Sequence, residues 1–356
     1  MQSLQLPPKS EILFSAVTME GMVQIVRHHD LIPVPVDLDL RSLAPKLEAL
    51  EHAITPRTKM IVVAHLFGSR FPLDPILDVA RKNNLILVED CAQAYVGPDD
   101  TGDPRADVSL FSFGPVKTAT ALGGALLRVR DSKVRDQMRS LQAGYPVQTA
   151  WSYPVIKVAI IKGLSTRPIY SCFLWLCRAI GCDYDRIANR STLCYRGPDF
   201  VRRIRRQPAA PLLAVLQRQL RRFTPRTVAA RTAKGALLRE LLGDQIDCPG
   251  RGQTQHSRWL FPVLVDDPDR WIDALRRRGF DATRGGSLCV VGPPAERSDL
   301  APVEARDLLS RVFFLPCYPE ITDAALHRLA GVFHVGTAPL PSCAHVNRPK
   351  LRVAQP

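Results

Sequence analysis

Few features of the sequence suggest cross-links or export. The nine cysteines are odd in number, loosely spaced and never arranged as CxxC, which disfavours a disulfide framework or a zinc site. The first residues, MQSLQLPPKSE, lack the apolar stretch of a signal peptide. We therefore expect a cytoplasmic protein without disulfides or a bound metal.

No uninterrupted apolar run reaches the ~20 residues that a transmembrane helix needs. The most apolar segment, 153–181, is broken by four basic residues and Pro168. This pattern predicts two short helices that pack on the core or on a subunit interface. Because the Arg-rich stretch 202–226 follows, peripheral contact with a membrane surface is the alternative.

Acidic residues are too few to balance the basic ones, so the net charge is +14. Much of the excess lies in 202–208 and 217–226. Such a patch could meet nucleic acid, anionic lipid or a phosphorylated substrate. No interleaved aromatics or known binding module accompany the arginines, which disfavours nucleic acid and favours a solvated basic face.

Apolar strands alternate with amphipathic helices in the first third of the chain. This order predicts a mostly parallel sheet with helices on both faces, an α/β fold in which ligands bind beyond the carboxyl ends of the strands. The predicted strands are 11–14, 31–38, 59–68, 85–94, 107–113 and 123–129, and the predicted helices are 17–30, 42–54 and 73–84.

The last third predicts a smaller C-terminal α/β domain, with a strand at 257–265 and helices at 227–243, 268–280 and 322–333. We expect four parts along the chain. They are a large cofactor-binding domain (1–145), a helical, apolar then Arg-rich connector (146–226), the small domain (227–338) and a loose tail (339–356).

Two residues suggest chemistry at the carboxyl edge of the sheet. Asp90 follows the strand LILV, where it either caps the next turn or serves a site. Lys117 is the only charged residue in the run 109–127, and a buried lysine is a potential nucleophile. Pyridoxal phosphate (PLP) would join such a pair, because it carries both an aldehyde and a protonatable ring nitrogen.

Two motifs resemble one enzyme family. VEDCAQAYVG (88–97) and SLFSFGPVKTATALGGALLRV (109–129) are similar to segments of the DegT/DnrJ/EryC1/StrS family, the PLP-dependent sugar aminotransferases of fold type I. Weaker similarity follows in the same order at 21–39, 54–68 and 313–322. The resemblance is good over 11–130 and patchy after 250, and it implies a fold-type-I PLP-transferase architecture.

The resemblance also assigns roles to individual residues. Lys117 would hold the cofactor aldehyde as a Schiff base and then shuttle protons, while Asp90 would bind the pyridine nitrogen. Gln93 would lie near the ring face or the phenolic oxygen, and Ser112 would bind the phosphate. Met19, or Met22 as the alternative, would lie against the ring, where the family usually has an aromatic residue.

The implied reaction moves an amino group from glutamate or glutamine to a nucleotide-linked keto sugar. The implied setting is cell-surface polysaccharide or secondary metabolite biosynthesis, and the implied assembly is a homodimer with its sites at the interface. His256 stands where the family often has a histidine, so it is either a residue at the site edge or a capping histidine.

Two departures from the family pattern leave alternatives open. No equivalent of the family's phosphate-binding Gly-Thr turn precedes Glu11, so we expect an N-terminally incomplete large domain. This keeps open a catalytically impaired relative that serves as a scaffold or partner subunit. A sugar dehydratase is the second alternative, but histidine replaces the lysine in that branch, and Lys117 argues against it.

Overall fold

The computed structural model describes residues 1–148 and 199–335, together with positions 169, 172 and 176 and the pair 353–354. The strands are β1 (Glu11–Ser15), β2 (Val17–Met19), β3 (Ile32–Val36), β4 (Thr58–Ala64), β5 (Ser69–Arg70), β6 (Ile86–Asp90), β7 (Val108–Ser112), β8 (Ala125–Val129), β9 (Gln255–His256), β10 (Phe261–Leu264), β11 (Leu288–Val291), β12 (Val312–Leu315) and β13 (Val353–Ala354). The helices are α1 (Glu20–His28), α2 (Leu47–Ala53), α3 (Asp74–Lys82), α4 (Ser132–Ala143), α5 (Phe200–Ile204), α6 (Ala210–Arg222), α7 (Pro225–Leu242), α8 (Pro268–Arg277), α9 (Val303–Arg311) and α10 (Asp323–Val335).

Six strands form the central sheet in the order β3-β1-β4-β6-β7-β8. The first five run parallel, and β8 runs antiparallel to β7 at the edge. Apolar strands such as β1, in which every residue is buried, suit a sheet that is covered on both faces. The prediction of a mostly parallel α/β sheet is confirmed.

Helices cover both faces because successive strand side chains point in opposite directions. On one face, Leu13 and Ile61 pack with residues of α2 and α3 such as Leu50. On the other face, Ile12 and Phe14 pack with residues of α1. The sheet is therefore held between two apolar layers, which leaves its carboxyl edge to form a site.

Two predicted helices are shorter than expected. Residues 17–19 of the predicted helix 17–30 form β2, because Met19 pairs with Leu288 of β11. The predicted helix 42–54 begins only at Leu47, because Ser42 is held by the Asp39 carboxylate in a turn before it. In both cases, pairing or capping by neighbouring residues overrides local helical preference.

A second apolar core lies in the last third of the chain. Antiparallel strands β10 and β12 pack with α7, α8 and α10, and the buried rings of Phe261 and Phe313 lie in this core. The strand predicted at 257–265 is confirmed only over its second half, since β10 begins at Phe261. The domain boundaries given above remain predictions.

Two predicted segments lie largely outside the described residues. The first contains the apolar helices predicted in 153–181, of which only isolated positions are described. Within the predicted tail 339–356, only Val353–Ala354 is described, and it pairs in parallel with β11. This pair is a strand and not loose chain. Over the described parts of the chain, no helix is both long enough and apolar enough to cross a membrane.

Candidate active site

The carboxyl ends of β4, β6 and β7 bring three parts of the chain together. Asp90 ends β6, where it pairs with Ala64 of β4 and Leu110 of β7. Ser112 ends β7, and the loop that follows it contains Lys117. This edge is where parallel sheets bind ligands, as the sequence predicts for Asp90 and Lys117.

Asp90 fills one of the two roles considered for it, that of a cap. One carboxylate oxygen, Oδ1, accepts a hydrogen bond from the Ala92 N–H at 2.8 Å, so the side chain caps its own turn. Burial raises the pKa of Asp90, while this bond and the attraction of Lys117 act in the opposite direction. Asp90 is therefore a half-buried acid near enough to Lys117 for their charges to interact.

Lys117 lies on a tight loop, where its N–H donates to the Gly114 carbonyl. Its Nζ is 4.6 Å from the centre of the Trp259 ring, within the range of a cation–π contact. Burial lowers the pKa of Lys117 below the ordinary lysine value, and only Asp90 opposes this shift. The result is a larger fraction of neutral, nucleophilic amine.

Ser112 and Lys117 converge around Gly114. A Cβ at Gly114 would lie 4.0 Å from both the Ser112 Oγ and the Lys117 Cγ. The predicted phosphate-binding hydroxyl and the predicted nucleophile thus border the same small space. Asp90, Ser112 and Lys117 are the predicted site residues that the structure brings together.

Gln93 and Met19 make other contacts. The Gln93 Oε1 accepts a hydrogen bond from the Phe67 N–H at 2.8 Å, in the turn after β4. Met19 ends β2 and pairs with Leu288. These contacts give both residues a structural role, and their cofactor roles remain predictions.

Sequence reasoning missed Trp259 and Arg231. The Trp259 Nε1–H donates to the Val116 carbonyl at 2.8 Å, which fixes the ring beside Lys117. Arg231, on α7, donates to the Ser257 carbonyl at 2.9 Å and to the Thr118 Oγ1 at 3.4 Å. Its pKa is lowered by burial. No local sequence signal connects these residues with a loop more than a hundred positions earlier.

His256 is a neutral acceptor in this structure. Its Nδ1 accepts a hydrogen bond from the Arg258 N–H at 2.9 Å. Burial and the charges of Arg258 and Arg231 lower its pKa to about 3. At neutral pH the imidazole is uncharged, and it lies near the Arg231 side of the site.

Gly68 explains why the segment carrying Trp259 lies so close to the sheet. Its φ is +90°, and a Cβ there would come within 2.5 Å of the Ser257 Oγ and 2.6 Å of the Trp259 backbone nitrogen. The Gly68 carbonyl also accepts a hydrogen bond from Ser257. Only glycine permits this approach without strain.

The segment that contains Asp90 and Lys117 matches a known protein family. Residues 1–152 match the sequence model of the DegT/DnrJ/EryC1/StrS aminotransferase family. The chain is therefore similar to that family over about two-fifths of its length. The matched part contains the predicted Asp90 and Lys117, whereas Arg231 and Trp259 lie beyond it.

Two curated relatives match a similar part of the chain. A UDP-N-acetyl-3-dehydro-α-D-glucosamine 3-aminotransferase from Acidithiobacillus ferrooxidans is 33% identical over 146 residues, covering 40% of this chain and 39% of the relative. A GDP-perosamine synthase from Caulobacter vibrioides is 35% identical over 156 residues, covering 42% and 41%. The aligned part thus spans about two-fifths of each relative.

Solved structures extend the similarity in fold to nearly the whole chain. The aminotransferase TlmJ from Streptoalloteichus hindustanus matches with a TM-score of 0.66 and 20% identity, over 94% of this chain and 81% of that one. A Streptococcus pneumoniae protein described as a sugar aminotransferase, in its PMP form, matches with 0.65 and 17% over 94% and 81%. Together with the sheet order, these matches establish a fold-type-I architecture.

The lowered pKa of Lys117 predicts unusual reactivity. We expect Lys117 to react with an acylating reagent at lower pH than a lysine of ordinary pKa 10.5, because its neutral form persists further down the pH scale. Asp90→Asn should move this profile lower still, since the carboxylate attracts the ammonium form. Competitive acetylation across pH, read by peptide mass spectrometry, measures the midpoint, and a midpoint at or above 10.5 would contradict the expectation.

Proposed function

We propose that the protein is a PLP-dependent aminotransferase that transfers an amino group from glutamate or glutamine to a nucleotide-linked keto sugar. The observation that carries the proposal is that Lys117 and Asp90 lie near enough at the carboxyl edge of the sheet for their charges to interact. Burial favours a neutral amine on Lys117, and the acid opposite it suits a protonated ring nitrogen.

The residues present fit the chemical groups of PLP. The Lys117 amine matches the aldehyde, and the Asp90 carboxyl matches the pyridine nitrogen. The Ser112 hydroxyl, which borders the same space at Gly114, matches the phosphate as a hydrogen-bond donor. We assign Lys117, Asp90 and Ser112 as the residues that would hold the cofactor, with Gln93 and Met19 as further candidates.

When bound, PLP supplies an aldehyde that condenses with amines and a ring that accepts electron density from the adjacent carbon. Asp90 would hold the proton on the ring nitrogen. Lys117, once displaced by the donor amine, would carry a proton between the two carbons that exchange it. Trp259, whose ring centre lies 4.6 Å from the Lys117 Nζ, would help to orient the amine.

Arg231 offers a place for an anionic group of the substrate. Its guanidinium is fixed by two neutral acceptors, the Ser257 carbonyl and the Thr118 Oγ1. Within the described parts of the chain, no carboxylate lies within ion-pair distance of Arg231. A partly buried cation without an acid suits a carboxylate or a phosphate.

The names of the relatives support the substrate class. One acts on a UDP-linked keto sugar and the other is named for a GDP-linked amino sugar. A third, from Bacillus subtilis, is a spore coat polysaccharide biosynthesis protein. We extend these names to a nucleotide-linked acceptor for this chain, working as a homodimer in the synthesis of a surface polysaccharide or a secondary metabolite.

Amino transfer tests the proposal directly. The purified protein is loaded with PLP and mixed with glutamate or glutamine, and the oxo acid product is measured. One equivalent of product per bound cofactor is expected, with further turnover when a keto sugar such as UDP-N-acetyl-3-dehydroglucosamine is added. Lys117→Ala is the matched control. Failure of both donors to react with the PLP-loaded protein would favour the non-catalytic relative.

A further inference from the structure

Three side chains with metal-binding atoms lie together beside Asp90. His65 follows β4, Glu89 precedes Asp90 on β6, and Cys91 follows it. One ligand atom from each of the three lies within 4.8 Å of the other two. Each residue is almost completely buried, with at most 2% of its surface exposed. Because neighbouring strand residues point to opposite faces, Glu89 and Asp90 serve different sites.

Hydrogen bonds hold the Glu89 carboxylate of this cluster in place. The His65 Nε2 lies 3.0 Å from one Glu89 carboxylate oxygen. The other oxygen accepts from the Ser109 hydroxyl and the Asp103 N–H, both at 2.8 Å. Because Nε2 is the imidazole nitrogen that faces Glu89, it is the atom that would bind an ion held between these two side chains.

The donor atoms of the cluster suit a divalent cation. An imidazole nitrogen, a carboxylate oxygen and a thiol sulfur lie within 4.8 Å of one another. A bound cation would replace the thiol proton, which would leave to solvent.

A cleft gives access to the cluster. It has a volume of about 350 Å³, and His65 and Glu89 lie in its wall together with Gln253 and Thr254. Arg70 also lines the cleft, but the Asp100 carboxylate balances its charge. The cleft therefore reaches the His65 and Glu89 side of the cluster and gives room for a water molecule there.

We propose that His65, Glu89 and Cys91 bind one zinc ion, with a water molecule from the cleft as the fourth ligand. Nitrogen, oxygen and sulfur in one tetrahedral set is a donor combination that zinc accepts readily. The site would be structural. It would tie β4 to the end of β6 and so hold Asp90, which lies between two of the ligands, in a fixed position. The proposal does not depend on the aminotransferase function.

Metal analysis of the full chain tests the proposal. After equilibration with zinc and removal of the excess, we expect one zinc per chain by mass spectrometry of the metal. Loss of a residue that only supports a ligand costs about 10- to 100-fold in affinity, so Cys91→Ala should lose at least about 100-fold. Cys289→Ala removes another buried cysteine, on β11, and should retain full zinc content.

Cobalt provides a second measurement that identifies the sulfur ligand. The cobalt-loaded wild type and Cys289→Ala should show sulfur-to-metal charge-transfer absorption, and Cys91→Ala should not. Zinc content that is unaffected by Cys91→Ala would overturn the proposal, and so would a cobalt spectrum without sulfur ligation. Lys117→Ala should bind zinc normally, which separates this result from any failure of the proposed enzyme activity.

Discussion

Lys117→Ala is expected to abolish covalent capture of PLP and to lower amino transfer by about 10²- to 10⁴-fold, the range usual for a positioned proton-transfer group. The variant removes the amine that lies over Trp259 and faces Asp90. The fold should survive, because Lys117 lies on a loop and forms none of the ion pairs found in the described residues. Activity should therefore fall without a matching loss of stability.

Borohydride reduction gives the clearest measurement. The wild-type protein is mixed with PLP, reduced and digested, and the modified peptide is identified by mass spectrometry. We expect the label at Lys117, together with loss of the visible absorption of the bound cofactor. Lys133→Ala, which changes an exposed lysine on α4, is the control and should keep the label. Equal labelling of Lys117→Ala at another lysine would contradict the assignment.

Lys117→Arg separates charge from chemistry at the same position. Arginine keeps the positive charge but stays protonated at all accessible pH values, so it cannot offer a neutral amine. If the lysine acts only by electrostatic attraction of a phosphate, Lys117→Arg should retain most of the PLP affinity and activity. If it acts as proposed, affinity should be partly kept and amino transfer lost.

The sequence predicts Asp90 and Lys117 as site residues because each lies in a short motif next to a strand. If the strands are parallel, the order of elements along the chain places both residues at the same edge of the sheet. A parallel sheet is predicted because its strands are apolar throughout. Trp259 and Arg231 could not be found this way. The contact of Trp259 with the Lys117 loop depends on how the chain after α7 packs against the turn at Gly68, and that of Arg231 depends on how α7 packs against the same loop. No local pattern encodes either.

Long-range pairing also explains the differences in secondary structure. Residues 17–19 have a helical pattern, yet they form a strand because they pair with β11, about 270 positions later in the chain. The proposed metal site has the same origin. The spacing of the cysteines disfavours zinc because it tests for ligands that are close in sequence, whereas His65 and Cys91 approach each other only through the pairing of β4 with β6.

The second large effect is expected from Gly68→Ala, which should lower the free energy of unfolding by about 2 to 5 kcal/mol. Alanine at φ +90° costs about 1 to 2 kcal/mol from backbone strain. The added Cβ would also come within 2.6 Å of the Trp259 backbone nitrogen, and such overpacking costs about 1 to 3 kcal/mol more. The clash involves backbone, so it cannot be relieved by a side-chain rotation alone.

Gly279→Ala separates these two contributions. Gly279 has a similar φ of +83°, but a Cβ there would meet nothing within 4 Å, so only the backbone strain should appear in urea unfolding. Gly68→Ala should also weaken PLP capture, because moving the Trp259 backbone displaces the ring that positions Lys117. Equal losses of stability in the two variants, with PLP capture unchanged in both, would show that the close contact at Gly68 does not support the site. A larger loss in Gly68→Ala, accompanied by weaker labelling of Lys117, would tie the turn after β4 to the placement of the nucleophile.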